Sequence, residues 1–423
     1  MAAKRRKSGR PKRRLWRILG PGLITGASDD DPSGIATYSQ AGAQFGYTLA
    51  WTMLFSFPLI AAIQEISARI GRVTGRGIAG NIRRHYPPAL LYVTVGLLIV
   101  TNVINLGADL NAMGDVAQLL IGGPRLLYVF GFGALCIALE ITMRYRRYID
   151  LLKWTCVTLL AYAAVALTIR IPWGEVLIDS LVPSFRLDAA LALTATLGTT
   201  ISPYMLFWQS SDEAENERQD RHAHILTLAP DEAPAEMRRI RLDTYIGMFF
   251  SNLIGWFIIV TVAATMHSHG SVTIETASQA AEALRPVAGP FAFLLFALGI
   301  IGTGMLAVPV LAGSAAYALG ETLKWPVGLA RLPMDAKAFY GAIAAATMIG
   351  VGMNLTPIDP IKALFWSAVL NGVVAAPLMA VTMLMARNRR VMGRFVIRPG
   401  LAAVGWIATL AMAGSAVVLF ASI

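Results

Sequence analysis

The stretch DDDPSG, residues 29–34, interrupts an apolar segment that is long enough to cross a lipid bilayer. Ionisable side chains are costly at membrane depth, and Pro and Gly leave backbone groups that lipid cannot satisfy. Such an interruption is tolerated only where it is buried in protein or lines a cavity. A broken helix that presents carbonyl oxygens beside a carboxylate therefore predicts a cation site.

The composition of the whole chain is that of a membrane protein. Of its 423 residues, 56% are hydrophobic and 14% are charged, against roughly 45–50% and about 25% in soluble domains. The net charge of +11 could suggest a nucleic-acid-binding protein. However, the basic residues near the N-terminus lead directly into the first apolar segment, and no stacking aromatic residues accompany them. We therefore expect residues 1–17 to form a basic cytoplasmic segment, with no nucleic-acid partner.

About eleven segments are long enough to span the hydrocarbon core, which needs roughly 20 apolar residues. They cover residues 15–42, 47–70, 89–120, 126–143, 148–169, 189–210, 242–266, 287–318, 336–353, 358–386 and 400–422. This pattern predicts an all-α polytopic protein surrounded by membrane lipid.

The basic residues are distributed unequally between the two sides of these spans. Thirty Lys and Arg residues fall on the N-terminal side of the membrane and four fall on the other side. Because cytoplasmic loops collect basic residues, we expect a cytoplasmic N-terminus. An odd number of spans then places the C-terminus on the outer side of the cell (inner) membrane.

A second interruption, GTTISPY at residues 198–204, lies in the sixth span. Broken helices at positions one and six of a ten-helix core predict two five-helix repeats of opposite topology, with a binding site where the breaks meet. We place the repeats at about residues 18–170 and 189–386, and an extra helix at 400–422. All of them belong to one transport domain, residues 18–423.

The polar stretch from residue 211 to residue 242 is predicted to be a cytoplasmic loop. Its acidic cluster is interpreted as a solvated face, because the spacing is not that of an ordered metal-binding loop. The cluster consists of Asp212, Glu213, Glu215 and Glu217, with Arg218 beside them.

Several motifs recur along the chain in a recognisable order. They are GPG at 20–22, DPSG at 31–34, QAGAQFGY at 40–47, SARIGRVTGR at 67–76, ADL at 108–110, the break around Pro203, and DPIKAL at 359–364. These motifs resemble those of the Nramp family of divalent-metal transporters. The resemblance covers nearly the whole chain. It implies a LeuT-type fold and a monomeric transporter of divalent cations, which is not an enzyme and has no cofactor.

The chain departs from the family pattern at the positions that would bind the metal. Family members typically carry DPGN in span one, so Gly34 stands where a ligand Asn is expected. The usual MPH of span six is SPY at residues 202–204, which replaces the thioether ligand with a hydroxyl. A common Gln of span ten falls at Ala368, and one acidic residue of the usual proton pathway falls at Ala112. These departures resemble the subgroup of Nramp-related magnesium transporters.

The remaining ligands suggest the substrate. A methionine sulfur favours soft ions, and its loss removes that preference. Magnesium keeps several waters and contacts one or two carboxylates, so a roomy site with few ligands predicts Mg²⁺, with Mn²⁺ also carried. The expected metal-site residues are Asp31, Gly34, Thr199, Ser202, Tyr204 and Asp30.

Two of the aspartates in the first break also have structural interpretations. Asp31 could cap the half-helix that starts at Pro32, since Pro is favoured at the first helical position. Capping is compatible with metal binding. Asp30 could lie in an aqueous vestibule and attract cations, or it could form a local hydrogen bond.

Three further polar residues are candidates for the permeation path. Asp109 is an intramembrane carboxylate, which predicts a proton relay or a salt bridge. Gln209 could reach the path or form a helix-helix hydrogen bond. Asn371 lies about one turn from the missing Gln and could partly replace it.

We expect metal movement without proton coupling. Tyr204 stands where proton-coupled family members usually have His, and all five His residues lie in predicted loops. A divalent cation gains roughly 4.6 kcal/mol from a 100 mV inside-negative potential, so uptake needs no second driving ion.

Three alternative functions remain. One is a proton-coupled Mn²⁺ or Fe²⁺ symporter of the same family. Another is an intramembrane aspartyl protease that uses Asp31 and Asp109, which the LGAD context of Asp109 disfavours. The third is an organic-solute symporter, but acidic residues at the break disfavour an anionic substrate.

Overall fold

The computed structural model describes residues 21–143, 163–164, 166–167, 169–185, 187–219, 224–267, 277–356 and 360–422. Regular secondary structure in this part is entirely helical. The helices are α1 (Pro21–Asp29), α2 (Pro32–Phe45), α3 (Trp51–Thr74), α4 (Ile78–His85), α5 (Pro88–Ile121), α6 (Arg125–Thr142), α7 (Trp173–Leu181), α8 (Ala190–Thr200), α9 (Pro203–Gln219), α10 (Ala233–Thr265), α11 (Ala277–Leu323), α12 (Lys337–Met353), α13 (Pro360–Arg387), α14 (Arg389–Met392) and α15 (Pro399–Ser422).

These helices confirm the prediction of an all-α, multi-pass membrane protein. Within the described ranges, 8 helical segments are long and apolar enough to cross a membrane. They match predicted spans two, three, four, six, seven, eight, ten and eleven. The shorter α12 matches span nine, and α1 with α2 matches span one. The basic segment 1–17 and most of span five, 148–169, lie outside the described residues.

The first break is produced by the sequence around Asp31. Helix α1 ends at Asp29, and Asp31 has an extended backbone, with φ −66° and ψ 169°. Its carboxylate accepts a hydrogen bond from the Gly34 N–H at 2.6 Å, and Pro32 occupies the first position of α2. Asp31 is therefore the N-cap of the second half-helix, as predicted.

The second break separates α8 from α9. Helix α8 ends at Thr200, and α9 begins at Pro203, which has no N–H to donate. The Ser202 hydroxyl donates to the carbonyl oxygens of Gly198 and Thr199 at 2.9 and 2.7 Å. Ser202 thereby satisfies carbonyls that the end of α8 would otherwise leave without partners.

The two breaks face each other in antiparallel fashion. The Tyr204 hydroxyl at the start of α9 donates to the Ser28 carbonyl at the end of α1, at 2.6 Å. The hydroxyls of Tyr38 in α2 and Thr200 at the end of α8 are 3.1 Å apart. The end of each first half-helix thus meets the first two turns of the other's second half. This is the arrangement that two repeats of opposite topology require.

Glycines allow α1 to lie directly against α10. A Cβ placed on Gly26 would be 2.4 Å from the Gly247 carbonyl oxygen, and one on Gly247 would be 2.1 Å from the Gly22 carbonyl oxygen. Small residues permit such backbone contact between membrane helices. The side chain of Asp243 in α10 also accepts hydrogen bonds from the N–H groups of Gly22 and Leu23. Helix α10 therefore positions the half-helix that leads into the first break.

The acidic cluster after the sixth span is buried, so its interpretation as a solvated face was wrong. Helix α9 continues nine residues beyond the predicted end of the span, to Gln219. Asp212, Glu213 and Glu215 are only 1%, 0% and 3% exposed. The reason is tertiary: α9 packs between α3 and α11 at this end of the bundle, and Arg239 of α10 pairs with Glu213 at 2.5 Å.

Other loops predicted to be cytoplasmic meet at this same end. Glu65 of α3 pairs with both Arg69 and Arg241. The side chain of Glu321, near the end of α11, accepts hydrogen bonds from the N–H groups of Gly77 and Gly80 at 2.7 and 2.8 Å. Ion pairs and hydrogen bonds thus join the ends of several helices here.

Candidate functional site

Asp31 is the centre of the candidate site. Its side chain is buried between the two breaks, and both carboxylate oxygens accept hydrogen bonds. One accepts from the Gly34 N–H, and the other accepts from the Asn105 side-chain amide at 2.9 Å. This fixes the carboxylate at the N-terminus of α2, where the helix dipole stabilises negative charge.

Asn105 of α5 is itself held in position. Its amide oxygen accepts a hydrogen bond from the Ser367 hydroxyl at 2.7 Å, so its amide nitrogen must face Asp31. The Ser367 hydroxyl also lies 3.3 Å from the Ser33 hydroxyl. A chain of polar groups from α13 through α5 therefore orients the carboxylate, in the way that outer-shell residues orient metal ligands.

Asp109 lies beside Asp31 at the start of α2. It follows Asn105 by four residues on α5, so both side chains lie on one face of that helix. One Asp109 oxygen accepts a hydrogen bond from the Ser33 N–H at 3.1 Å. The other oxygen has no hydrogen-bond partner among the described residues. The predicted salt bridge of Asp109 is absent from that part of the chain, and the contact found instead is to the N-terminus of the half-helix.

Gly34 and Thr199 bring the two breaks into contact. A Cβ placed on Gly34 would lie 2.9 Å from the Asp29 carbonyl oxygen, 3.3 Å from the Thr199 hydroxyl and 3.4 Å from an Asp31 carboxylate oxygen. Because Gly34 has no side chain, these three oxygen atoms can lie close to its Cα. The structure thus places three predicted site residues together: Asp31, Gly34 and Thr199.

Ser202 and Tyr204 have different roles from those of simple ligands. Both hydroxyls donate to main-chain carbonyls at the ends of α8 and α1. The Tyr204 carbonyl in turn accepts a hydrogen bond from Ser314 of α11 at 3.2 Å. These hydroxyls hold the breaks in place, and only their remaining lone pairs are available to a cation.

Asp30 lies in the protein interior. The residue is 0% exposed, so it does not lie in an aqueous vestibule. Its carboxylate interacts with the Ser251 hydroxyl of α10 rather than with a neighbour in sequence. Its neighbour Asp29 accepts a hydrogen bond from Ser251 of α10 at 2.7 Å. Asp30 is thus a buried carboxylate one residue before the N-cap.

The other two permeation-path candidates are not brought to Asp31. The Gln209 amide donates to the Thr244 hydroxyl at 3.1 Å, which is the helix-helix alternative. Asn371 is buried, and within the described ranges no hydrogen bond joins it to Asp31 or Asp109. The amide that contacts Asp31 is that of Asn105. Its four-residue spacing from Asp109 is a sequence signal that could have identified it.

The hydrogen bonds to the two carboxylates come from nitrogen donors. The groups that hydrogen-bond to Asp31 and Asp109 are two backbone N–H groups and one amide, with neither sulfur nor imidazole. Among the described residues, no three His, Cys, Asp or Glu side chains are arranged to hold a metal ion. The two carboxylates at the breaks, Asp31 and Asp109, are thus the candidate ligands that the structure brings together.

Solved structures of transporters share this architecture. A manganese transporter from Eremococcus coleocola superposes with a TM-score of 0.75 at 16% identity, covering 96% of this chain and 87% of that one. Mhp1, a nucleobase-cation-symport-1 family transporter, superposes with a TM-score of 0.59 at 15% identity, covering 96% and 92%. The fold is accordingly the LeuT type, with broken helices in spans one and six.

Curated relatives extend over almost the whole chain. A divalent metal cation transporter, MntH, from Chromohalobacter salexigens is 28% identical to this chain. The alignment covers 98% of this chain and 94% of that transporter. The MntH of Aeromonas hydrophila is 26% identical over 92% and 91%. The family model described as natural resistance-associated macrophage protein-like, or Nramp, matches residues 22–422. This chain, with its paired helix breaks around Asp31, belongs to the Nramp family of transporters and is not an enzyme.

Proposed function

We propose that this divalent-metal transporter carries Mg²⁺, and also Mn²⁺, through a site between the two helix breaks. The observation that carries the proposal is the Asp31 carboxylate, fixed by Asn105 and Gly34, with Asp109 beside it. Asp31 would bind the ion, and the oxygens at the breaks and water would complete its coordination. The Thr199 hydroxyl lies next to Gly34 and the Asp31 carboxylate, so it would be one of these oxygens.

The ligand atoms expected at this site favour a hard cation as the substrate. Magnesium prefers oxygen ligands and dehydrates reluctantly, whereas sulfur and imidazole favour transition metals. Ser202 stands where the family pattern has a thioether ligand, and Tyr204 stands where proton-coupled members usually have His. Their hydroxyls brace the breaks, which leaves water as the main remaining source of ligands. Manganese accepts the same oxygen set.

We further propose that the metal ion moves into the cell, driven by the membrane potential alone. The N-terminus would lie in the cytoplasm, and the C-terminus would lie on the outer side of the inner membrane. The unequal distribution of Lys and Arg supports this orientation. Contacts among the basic loops at one end of the bundle are consistent with it. We propose the same single domain, residues 18–423, with its two repeats.

A proton-coupled Mn²⁺ or Fe²⁺ symporter is the second candidate. The observation in its favour is the Asp109 oxygen without a partner in the described ranges, next to Asp31. A proton on that carboxylate would change the charge beside the ion. The names of the relatives, which include a manganese transporter, fit both candidates.

Uptake into liposomes distinguishes the two candidates. Purified protein is reconstituted with a pH-sensitive dye in the lumen, and Mn²⁺ uptake is measured with and without millimolar Mg²⁺. We expect Mg²⁺ to compete and the lumen pH to stay constant. Asp31→Asn should reduce uptake at least about tenfold because the ion loses its carboxylate ligand. Asp231→Asn, an exposed change of the same kind, should leave uptake unaltered.

Acidification that follows the metal would refute potential-driven movement and support the symporter. Manganese uptake that is insensitive to Mg²⁺ would refute the magnesium assignment. Equal activity of Asp31→Asn and the wild type would show that the ion binds elsewhere.

A further inference from the structure

A cavity lined mainly by basic side chains lies at the end of the bundle where α3, α9 and α11 finish. It has a volume of about 210 Å³. Its charged lining consists of Arg76, Arg83, Arg218, Lys324 and Glu321, and Trp325 lies beside them. We call it the basic pocket. None of its residues belongs to the site around Asp31.

Two of the arginines are anchored by the protein itself. Arg83 donates to the Glu321 main-chain carbonyl, and Arg218 donates to the Gly75 carbonyl at 2.9 Å. Arg218 also lies 3.9 Å from Glu215. These contacts neutralise the ends of helices and hold the guanidinium groups at the wall of the basic pocket.

The single carboxylate of the basic pocket is already engaged. Both oxygens of Glu321 accept hydrogen bonds from backbone N–H groups, those of Gly77 and Gly80, at the start of α4. The short distances and the direction of these bonds tie Glu321 to α4. No ion pair joins it to Arg76 or Lys324 within the described ranges. Its one negative charge is outnumbered by the four cations of the basic pocket.

Arg76 and Lys324 have no such anchors. Neither side chain has a hydrogen bond or ion pair within the described ranges. Burial lowers the pKa of the Arg76 guanidinium, and the nearby charges of Arg84 and Arg83 lower it further. The Glu321 carboxylate raises this pKa and so partly opposes them. Because the basic pocket has four cations and one carboxylate, an anion would stabilise it.

The backbone of Lys324 is a second unusual feature. Its φ is +63°, and it is the one residue other than glycine with a positive φ in the described part of the chain. It follows the end of α11, where the Trp325 N–H bonds back to the Gly320 carbonyl at 2.8 Å. This is the helix-ending position that glycine usually occupies. The chain instead has a lysine there, at the mouth of the basic pocket.

We propose that the basic pocket binds a phosphate group. Arg76 and Lys324 would supply the free positive charge, and Arg83 and Arg218 would supply preoriented guanidinium groups. Arginine forks match phosphate geometry, and basic pockets between membrane helices bind phosphate-bearing lipid headgroups. Trp325 has the amphipathic character of residues at the membrane-water interface. The phosphate could belong to an anionic lipid or to a soluble molecule.

Two binding measurements test the proposal and identify the source. Native mass spectrometry of the full-length protein in detergent compares retention of phosphatidylglycerol with that of phosphatidylcholine. Isothermal titration calorimetry measures binding of inorganic pyrophosphate. We expect Lys324→Gly and Arg76→Gln each to weaken phosphate binding roughly fivefold, since each removes one cation. Arg398→Gln removes an exposed cation outside the basic pocket and is the control.

Lys324→Gly should not disturb the fold, because glycine readily adopts the positive φ of this position. Its melting temperature should equal or exceed that of the wild type. Selective retention of phosphatidylglycerol with this variant pattern would identify a lipid headgroup. Pyrophosphate binding with the same pattern would identify a soluble phosphate. Absence of binding in both measurements, or equal binding by the two pocket variants and Arg398→Gln, would overturn the proposal.

Discussion

At the scale of single residues, the candidate site depends on how one carboxylate is held. Asp31 caps the second half-helix and would also bind the ion, so the same hydrogen bond from Gly34 serves structure and function. The sequence predicted Asp31 from its place in the break. It did not predict Asn105, because a polar residue inside a membrane helix has many possible partners, and only the tertiary structure selects one.

Replacement of Asn105 tests this arrangement. Asn105→Ala removes the hydrogen bond that orients Asp31, and we expect metal affinity to fall roughly tenfold. Titration calorimetry with Mn²⁺ provides the measurement. Asn111→Ala is the matched control, since Asn111 is a buried residue of the same helix that makes no hydrogen bond to Asp31. Equal losses of affinity in the two variants would argue against a positioning role for Asn105.

At the scale of helices, the sequence located both breaks to within a few residues. Proline and glycine interrupt helices by local chemistry, so these signals do not depend on the rest of the fold. The end of α9 was missed for the opposite reason. An acidic, polar stretch ordinarily indicates a solvated loop, but here Arg239 and other neighbours cover it. Burial of a charged segment depends on partners that are distant in sequence.

The contact between α1 and α10 gives a prediction at this scale. Gly26→Ala places a methyl group 2.4 Å from the Gly247 carbonyl oxygen, so the two helices must separate. Overpacking of this kind costs about 1–3 kcal/mol, and we expect a lower melting temperature and weaker metal binding. Gly96→Ala is the control, because nothing lies within 4 Å of its Cβ. It should be neutral or slightly stabilising. Unchanged stability of Gly26→Ala would refute this close contact.

At the scale of the whole molecule, charges close one end of the bundle. Glu213, Glu65 and Glu321 are buried there, and each is engaged by an arginine or by backbone N–H groups. Buried charges are tolerated only when they are paired or hydrogen-bonded. This end of the protein therefore holds helices from both repeats together, and an ion that passes through it would require these contacts to open.

Arg239 allows this closure to be tested. Arg239→Ala leaves Glu213 buried without its partner, which should destabilise the protein by about 3–5 kcal/mol. Thermal unfolding in detergent is the measurement. Arg238→Ala alters the exposed neighbouring arginine and should have little effect. Adding Glu213→Gln to Arg239→Ala should restore part of the lost stability. If the Arg238 and Arg239 variants melt alike, the ion pair does not close the bundle.

The sequence by itself determined the membrane class, the spans that the structure describes and the two breaks, and it identified Asp31 as the candidate ligand. All of these follow from local properties: apolar length, proline and glycine, and charge at membrane depth. Only the tertiary structure decided that Asn105 and Ser367 orient Asp31, that Ser202 and Tyr204 brace the breaks, and that the acidic end of α9 is buried. Each of these depends on partners tens to hundreds of residues away, because a buried polar group is satisfied by whichever residue the fold brings within hydrogen-bond distance.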